Sequence, residues 1–259
     1  MIAEKINIPE KEITDTTVPV IVINGLSKSF GEDNVVLKDV NLVVNKGENL
    51  VVLGKSGSGK SVLIKCLVGL VPADHGEIKI FDTDIMNLNN NDLNLIRIRI
   101  GFLFQNSALY DSMTVRQNLE FPLKRHSKKL SPEEVESAVL EALGDVGLAE
   151  AIDKMPSELS GGMRKRIGLA RTLILKPEII LYDEPTTGLD TITSREISEL
   201  ILAIQKKNKT TSIIITHDMA CAKLTGDRVV ILKEGLINAE GSYDELEKSE
   251  DEWVRSFFN

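Results

Sequence analysis

A basic excess is missing from this chain. Lys and Arg number 31 against 39 Asp and Glu, a net charge of -8. A dedicated nucleic-acid binder shows a basic face, so that class is set aside, although a local basic patch stays open. Long apolar runs are missing too. None reaches the roughly 18 residues that a membrane span needs, and the N-terminus has no signal-peptide apolar core. Cysteine is scarce: Cys66 and Cys221 match no metal spacing, and Cys66 lies in an apolar helical stretch where a core role is expected. His75 has no partner at metal or triad spacing and is read as a turn residue. These absences place the protein in the cytosol. What is present is ordinary globular composition, 42% hydrophobic and 27% charged, over a length that can bury a full core.

The stretch that organises the rest is Gly54-Lys55-Ser56-Gly57-Ser58-Gly59-Lys60-Ser61. Leu50–Leu53 before it reads as a buried strand, and the run from Val62 onward as a helix. Strand, glycine-rich loop and helix start together make a phosphate cradle: glycines let consecutive N–H groups turn inward, and the helix adds its positive end. Lys60 suits the β- and γ-phosphates, and the Ser61 hydroxyl suits Mg²⁺. A plain glycine-rich turn between core elements is the bland alternative.

In chain order, residues 1–19 are polar and aperiodic, which predicts a flexible tail. Short strands are expected at Val20–Asn24 and Val35–Val44, with Phe30 between them as either a satellite core residue or an adenine-stacking platform. A strand over Glu77–Phe81, a helix ending near Arg99 and a core strand Ile100–Phe104 follow, with Gln105 at the strand's end. From about 106 to 170 the pattern turns helical. Ser131-Pro132-Glu133-Glu134 is a capping box, and Val135, Ala138, Val139, Ala142, Leu143 and Val146 line one helix face closed by Gly147. Ser160-Gly161-Gly162-Met163 precedes a helix expected over Arg164–Leu175. It is either a plain N-cap or a second anion-accepting helix start, serving a nucleotide held by another copy.

Glu178–Tyr182 reads as a buried strand ending in Asp183-Glu184, two acids where α/β sheets place their chemistry. Asp183 suits Mg²⁺ and Glu184 suits polarising the attacking water; buried acids with no cation would be costly. Asp190 opens a further helix, and His217 ends the strand Ser212–Thr216, where it can meet a γ-phosphate. A hairpin over Arg228–Ala239 and a helix capped by Ser242 and Glu245 complete the fold. Trp253, Phe257 and Phe258 are expected to dock or form an interface.

From about Val20 to Gly241 this motif set resembles the ATP-binding subunits of ABC transporters. The resemblance implies an α/β fold: a P-loop NTPase (RecA-like) core with an antiparallel β subdomain and an inserted α-helical subdomain near 106–170, one domain over 20–259. Residue by residue it makes Phe30 the adenine stacker, Gly54 to Ser61 with Val62 the Walker A loop, and Gln105 the glutamine touching Mg²⁺ or water near a permease. Ser160, Gly161, Gly162 and Met163 become the signature completing the opposite subunit's site. Asp183 becomes the Mg²⁺ ligand beside Ser61 and Gln105, Glu184 the catalytic base, Asp190 the D-loop aspartate and His217 the switch histidine. It implies ATP and Mg²⁺, a second copy, a transmembrane permease that holds the protein at the inner face of the cell membrane, and no nucleic acid.

Pro72–Ile78, Phe104–Tyr110, Met155–Met163 and Arg171 are similar to the ATPase of Mla/Mce-type phospholipid transporters, which adds a lipid-binding capture protein to the expected partners. Thr191 departs from the Pro many of these have. Rival readings are a regulatory ATPase signalling through a membrane partner to cell-wall enzymes, or a transporter ATPase for another substrate.

Overall fold

The computed structural model describes residues 18–31, 34–126 and 130–258. Of the tail expected over 1–19, all but Val18 and Pro19 lies outside the described residues, and Pro19 already opens a strand. β1 (Pro19–Ser29) and β2 (Val35–Asn45) pair antiparallel. Both outrun their apolar cores, because register shifts after Ile23 and Leu26 re-aim the chain and let pairing continue. β3 (Asn49–Leu53) is buried at every position and feeds α1 (Lys60–Leu67).

β4 (His75–Ile80) pairs with β1 and places His75 opposite Ser27. The histidine expected in a turn therefore starts a strand. Gly76 makes this possible: at φ +103° its added Cβ would lie 2.6 Å from the Gly25 carbonyl oxygen, so only glycine lets the strands meet. β5 (Thr83–Asp84), α2 (Asn90–Ile98) and β6 (Ile100–Leu103) follow.

Three helices then run together: α3 (Val115–His126), α4 (Pro132–Asp145) and α5 (Gly161–Leu173). Ser131 Oγ accepts from the Glu134 N–H at 3.2 Å while Glu134 accepts from the Ser131 N–H at 2.7 Å, the expected reciprocal cap. Val139, Ala142, Leu143 and Val146 are buried, and Gly147 turns the chain at φ +68°.

β7 (Ile179–Asp183), α6 (Thr191–Asn208), β8 (Thr211–Ile215) and α7 (Met219–Thr225) return the chain to strand–helix alternation. β9 (Arg228–Lys233) and β10 (Leu236–Gly241) form the expected hairpin, and α8 (Tyr243–Glu247) and α9 (Glu252–Arg255) follow.

Among the described residues the strands form two sheets, ordered β2-β1-β4-β5 and β10-β9-β3-β8-β7-β6. In the second, β9, β3, β8, β7 and β6 are parallel. Its side chains alternate between two cores. Val51, Ile180, Tyr182 and Ile214 face one, with the α4 and α5 residues; Leu50, Val52, Leu181 and Ile213 face the other, with α1. Burial on both faces is why these strands read as unbroken apolar runs, each such side chain contributing about 1.5–3 kcal/mol. Register places Val52, Ile215 and Asp183 side by side across the sheet. The segments that follow β3, β8 and β7 must therefore emerge together at one edge.

Near the end, Trp253 and Phe257 meet edge to face at 4.9 Å, as do Tyr243 and Phe258 at 5.0 Å. Lys233 Nζ sits 4.1 Å from the Trp253 ring centre. The terminal aromatics thus pack on their own chain, half-buried against the core.

Candidate active site

The loop after β3 is shaped by what cannot be added to it. A Cβ on Gly54 would lie 2.5 Å from both the Leu232 carbonyl oxygen and Ser58 Oγ. Gly57 and Gly59 hold φ of +80° and +104°, and Gly59 begins α1 with no side-chain cap. Ser58 Oγ is buried without a hydrogen-bond partner among the described residues, an orphan that a phosphate oxygen would satisfy. Lys60 is buried, and its Nζ folds back to donate to the carbonyls of Gly54 (2.7 Å) and Lys55 (3.1 Å). Burial pushes its pKa down, opposed by the charges of Glu184 and Asp183. Lys55 and Ser56 are exposed, and Val62 is half-buried against the second core.

Sheet register brings in the acids. Ser61 Oγ donates to Asp183 Oδ1 at 3.0 Å across 122 residues of sequence. Burial raises the Asp183 pKa, and the Ser61 hydrogen bond partly offsets that. A hydroxyl and a carboxylate oxygen, side by side at the end of a phosphate loop, fit Mg²⁺, which takes few protein ligands and keeps its waters and phosphate oxygens. Glu184 does not continue the strand but leaves it at φ +52°. Its N–H donates to Ile215 O at 2.9 Å, and its Oε2 lies 2.7 Å from His217 Nδ1 and accepts from Thr187 Oγ1 at 3.1 Å. His217 is exposed at the end of β8.

Gln105 follows β6 with its side chain exposed, while its carbonyl accepts from Lys165 Nζ. Phe30 is 48% exposed, with Lys28 Nζ 5.4 Å from its ring centre, so it is no core residue.

No hydrogen bond among the described residues joins Ser160–Met163 to the loop. Ser160 caps α5 by accepting from the Met163 N–H at 3.2 Å. The helix therefore starts at Gly161, earlier than the expected Arg164, with both glycines in its first turn. Met163 packs against the first core, and an added Cβ on Gly162 would meet Thr193 Cγ2 at 2.6 Å. Asp190 caps α6, accepting from the N–H groups of Ile192 and Thr193, both at 3.0 Å, and from Thr193 Oγ1 at 2.6 Å. Those bonds, Thr193 Oγ1 first, lower its pKa.

Sequence reasoning missed Thr187 and Lys165. Thr187 carries no pattern that marks it. Lys165 does: with Gly168, Leu169 and Leu173 it falls at i, i+3, i+4 and i+8, so helical spacing puts a lysine on the buried face.

A family model described as ABC transporter matches residues 37–187. The probable ribonucleotide transport ATP-binding protein mkl of Mycobacterium tuberculosis is 42% identical over 239 residues, 92% of this chain and 66% of that protein. The chain thus spans about two thirds of that relative's length. The chloroplastic protein TRIGALACTOSYLDIACYLGLYCEROL 3 of Arabidopsis thaliana is 38% identical over 246 residues, 89% of this chain and 70% of that protein. Among solved structures, the dimeric post-hydrolysis state of the ATP-binding cassette MJ0796 bound to ADP and Pi gives a TM-score of 0.79 at 32% identity, covering 86% of this chain and 98% of that one. With the loop, the paired acids and the histidine gathered at one sheet edge, the chain belongs to the ABC transporter family as one of its ATP-binding domains.

Proposed function

We propose that this chain hydrolyses ATP, paired with a second copy, to drive a membrane permease that moves phospholipid. The observation that carries the hydrolytic reading is the meeting of Ser61 with Asp183 at 3.0 Å and of Glu184 with His217 at 2.7 Å, both beside the loop. Lys60 and the loop N–H groups bind the triphosphate, and Phe30 offers an exposed ring to the base. Glu184 Oε2 takes the proton of the attacking water, and His217 orients that carboxylate through Nδ1. Ser61 and Asp183, with Gln105, would hold Mg²⁺, which would supply charge neutralisation to the phosphates. Ser160 and Gly161 act on the other copy's nucleotide, a reading supported by the lack, among the described residues, of any hydrogen bond from them to the chain's own loop, with Asp190 beside the interface.

In this reading residues 20–259 work as one unit, with 106–170 as its helical insert facing the permease. Among the described residues no helix is long and apolar enough to cross a membrane; in this reading the permease holds the chain at the membrane. The relatives' names divide between ribonucleotide transport and a glycolipid. The phospholipid reading rests on the resemblance of Phe104–Tyr110 and Met155–Met163 to the Mla/Mce type.

Glu184→Gln tests the first half. Binding of ATP should persist while turnover falls about 10²–10⁴-fold; wild-type turnover would remove Glu184 from its role. Purifying the membrane complex and extracting its lipids tests the second. A complex that carries cell-wall enzymes and no lipid-binding protein would favour the regulatory reading.

A further inference from the structure

Lys165 is only 6% exposed, on a helix face otherwise formed by Gly168, Leu169 and Leu173. An ammonium in such a place is costly unless its donors are used. Here they go to main-chain oxygens: Nζ donates to the carbonyl of Gln105 and, at 3.2 Å, to that of Glu184. The first belongs to the segment leaving β6, the second to the left-handed turn that carries the catalytic carboxylate. Burial lowers the Lys165 pKa, while the charges of Glu184 and Asp183 favour the ammonium.

The same helix grips the β6 segment further along. Arg171 Nη1 and Nη2 donate to the carbonyls of Ala108 (2.7 Å) and Ser107 (3.3 Å). A Cβ on Gly168 would lie 2.8 Å from Ser107 Cβ, so the two backbones are in close approach. Ser107 and Ala108 hold φ of +60° and +46°, a shape that needs outside support. Arg171 supports that bend, and Lys165 alone on α5 reaches both the bend's start and Glu184.

We infer that Lys165 is a positioning residue, tying the Gln105 and Glu184 carbonyls to α5 so that this helix sets the place of the catalytic carboxylate. Five residues earlier, Ser160 caps the start of α5. On the two-copy reading above, which this part of the inference rests on, one rigid helix therefore touches the partner's nucleotide at its start and this chain's catalytic turn at Lys165. Engagement of one site then alters the geometry of the other.

Lys165→Met keeps the length of the side chain and removes both hydrogen bonds. Removing the ammonium leaves the Gln105 and Glu184 carbonyls without this donor, so Tm should fall modestly in Lys165→Met and less in Lys165→Gln. In the full-length chain with ATP, kcat should drop about tenfold or more, since a displacement near 1 Å can cost about 10²-fold. KM should stay within about threefold. Lys165→Gln, whose amide can still donate, should recover part of kcat. Unchanged kcat, a rise in KM alone, or equal loss in both variants would overturn the inference.

ATP-driven dimerisation of Glu184→Gln, followed by light scattering, separates the two readings. A monomer there defeats the two-copy reading and the link between sites with it. A dimer there, alongside wild-type kcat in Lys165→Met, defeats the role of Lys165.

Discussion

Two helix starts in this molecule have similar glycine-rich sequences and opposite states. α1 begins at Gly59, with no side chain capping it, inside a curl walled by β3 and the Leu232 carbonyl. α5 is capped at its start by Ser160, exposed, with its hydroxyl already accepting the Met163 N–H. The first leaves its N–H groups and the Ser58 hydroxyl to an outside anion. The second already has the Met163 N–H capped by its own serine and stands exposed. One start is open to a phosphate of its own chain, and on the proposed two-copy reading the other is offered to the partner's.

Lys60→Ala and Ser160→Arg test that contrast with the largest expected effects. Losing a hydrogen bond to a charged group costs about 1.5–3 kcal/mol, so Lys60→Ala should weaken ATP binding about 10- to 100-fold in equilibrium titration. Ser160→Arg should leave binding by the single chain within about twofold yet stop turnover. Mixing the two variants in the assembled complex should restore activity, because one composite site then has an intact loop and an intact serine. Equal loss of binding in both would mean that α5 reaches its own chain's nucleotide.

Asp183 sharpens the contrast through pH. Its pKa is raised by burial, so the folded chain holds that proton more firmly than the unfolded one. Its stabilising contribution is complete below the unfolded value, about pH 4, and is lost as pH rises through the raised one. Asp183→Asn escapes that loss. Without nucleotide it should melt above wild type at neutral pH, the gap closing as pH falls toward about 4, while Mg²⁺-dependent turnover collapses. A lower melting point at neutral pH would contradict this.

The smallest effect is expected at Met163. It packs against the first core, which favours a filling role over contact with the sugar. Met163→Gln should leave the ratio of KM for ATP and 2′-deoxy-ATP unchanged within about twofold, below the roughly tenfold that one hydrogen bond allows. A larger shift would show that the residue reaches the sugar across the interface.

Legibility followed locality. The loop at Gly54–Ser61 and the cap at Ser131–Glu134 were readable because each completes its geometry within a few residues. Apolar runs announced the doubly buried strands, and strand ends located Asp183, Glu184 and His217. The left-handed turn at Glu184 was not readable, since β8 imposes it through the Ile215 carbonyl. His75 was misplaced because Gly76, which looks like a turn marker, serves here as the close approach to β1. The helix start at Ser160 is legible as a cap, but the helix opens at Gly161 rather than at Arg164. Lys165 showed a buried-face spacing, but its carbonyl partners lie 60 and 19 residues away and only the fold supplies them.

The lysine over Trp253 has an optical consequence. With one Trp in the sequence, native fluorescence comes from a single indole. That ring packs on Phe257 and under Lys233, which follows Leu232, the residue whose carbonyl borders Gly54. Emission from Trp253 therefore reports the seating of the last helices, through a lysine one residue beyond the wall of the nucleotide cradle. The chain carries its own dye, placed where an attached label would otherwise have to be engineered.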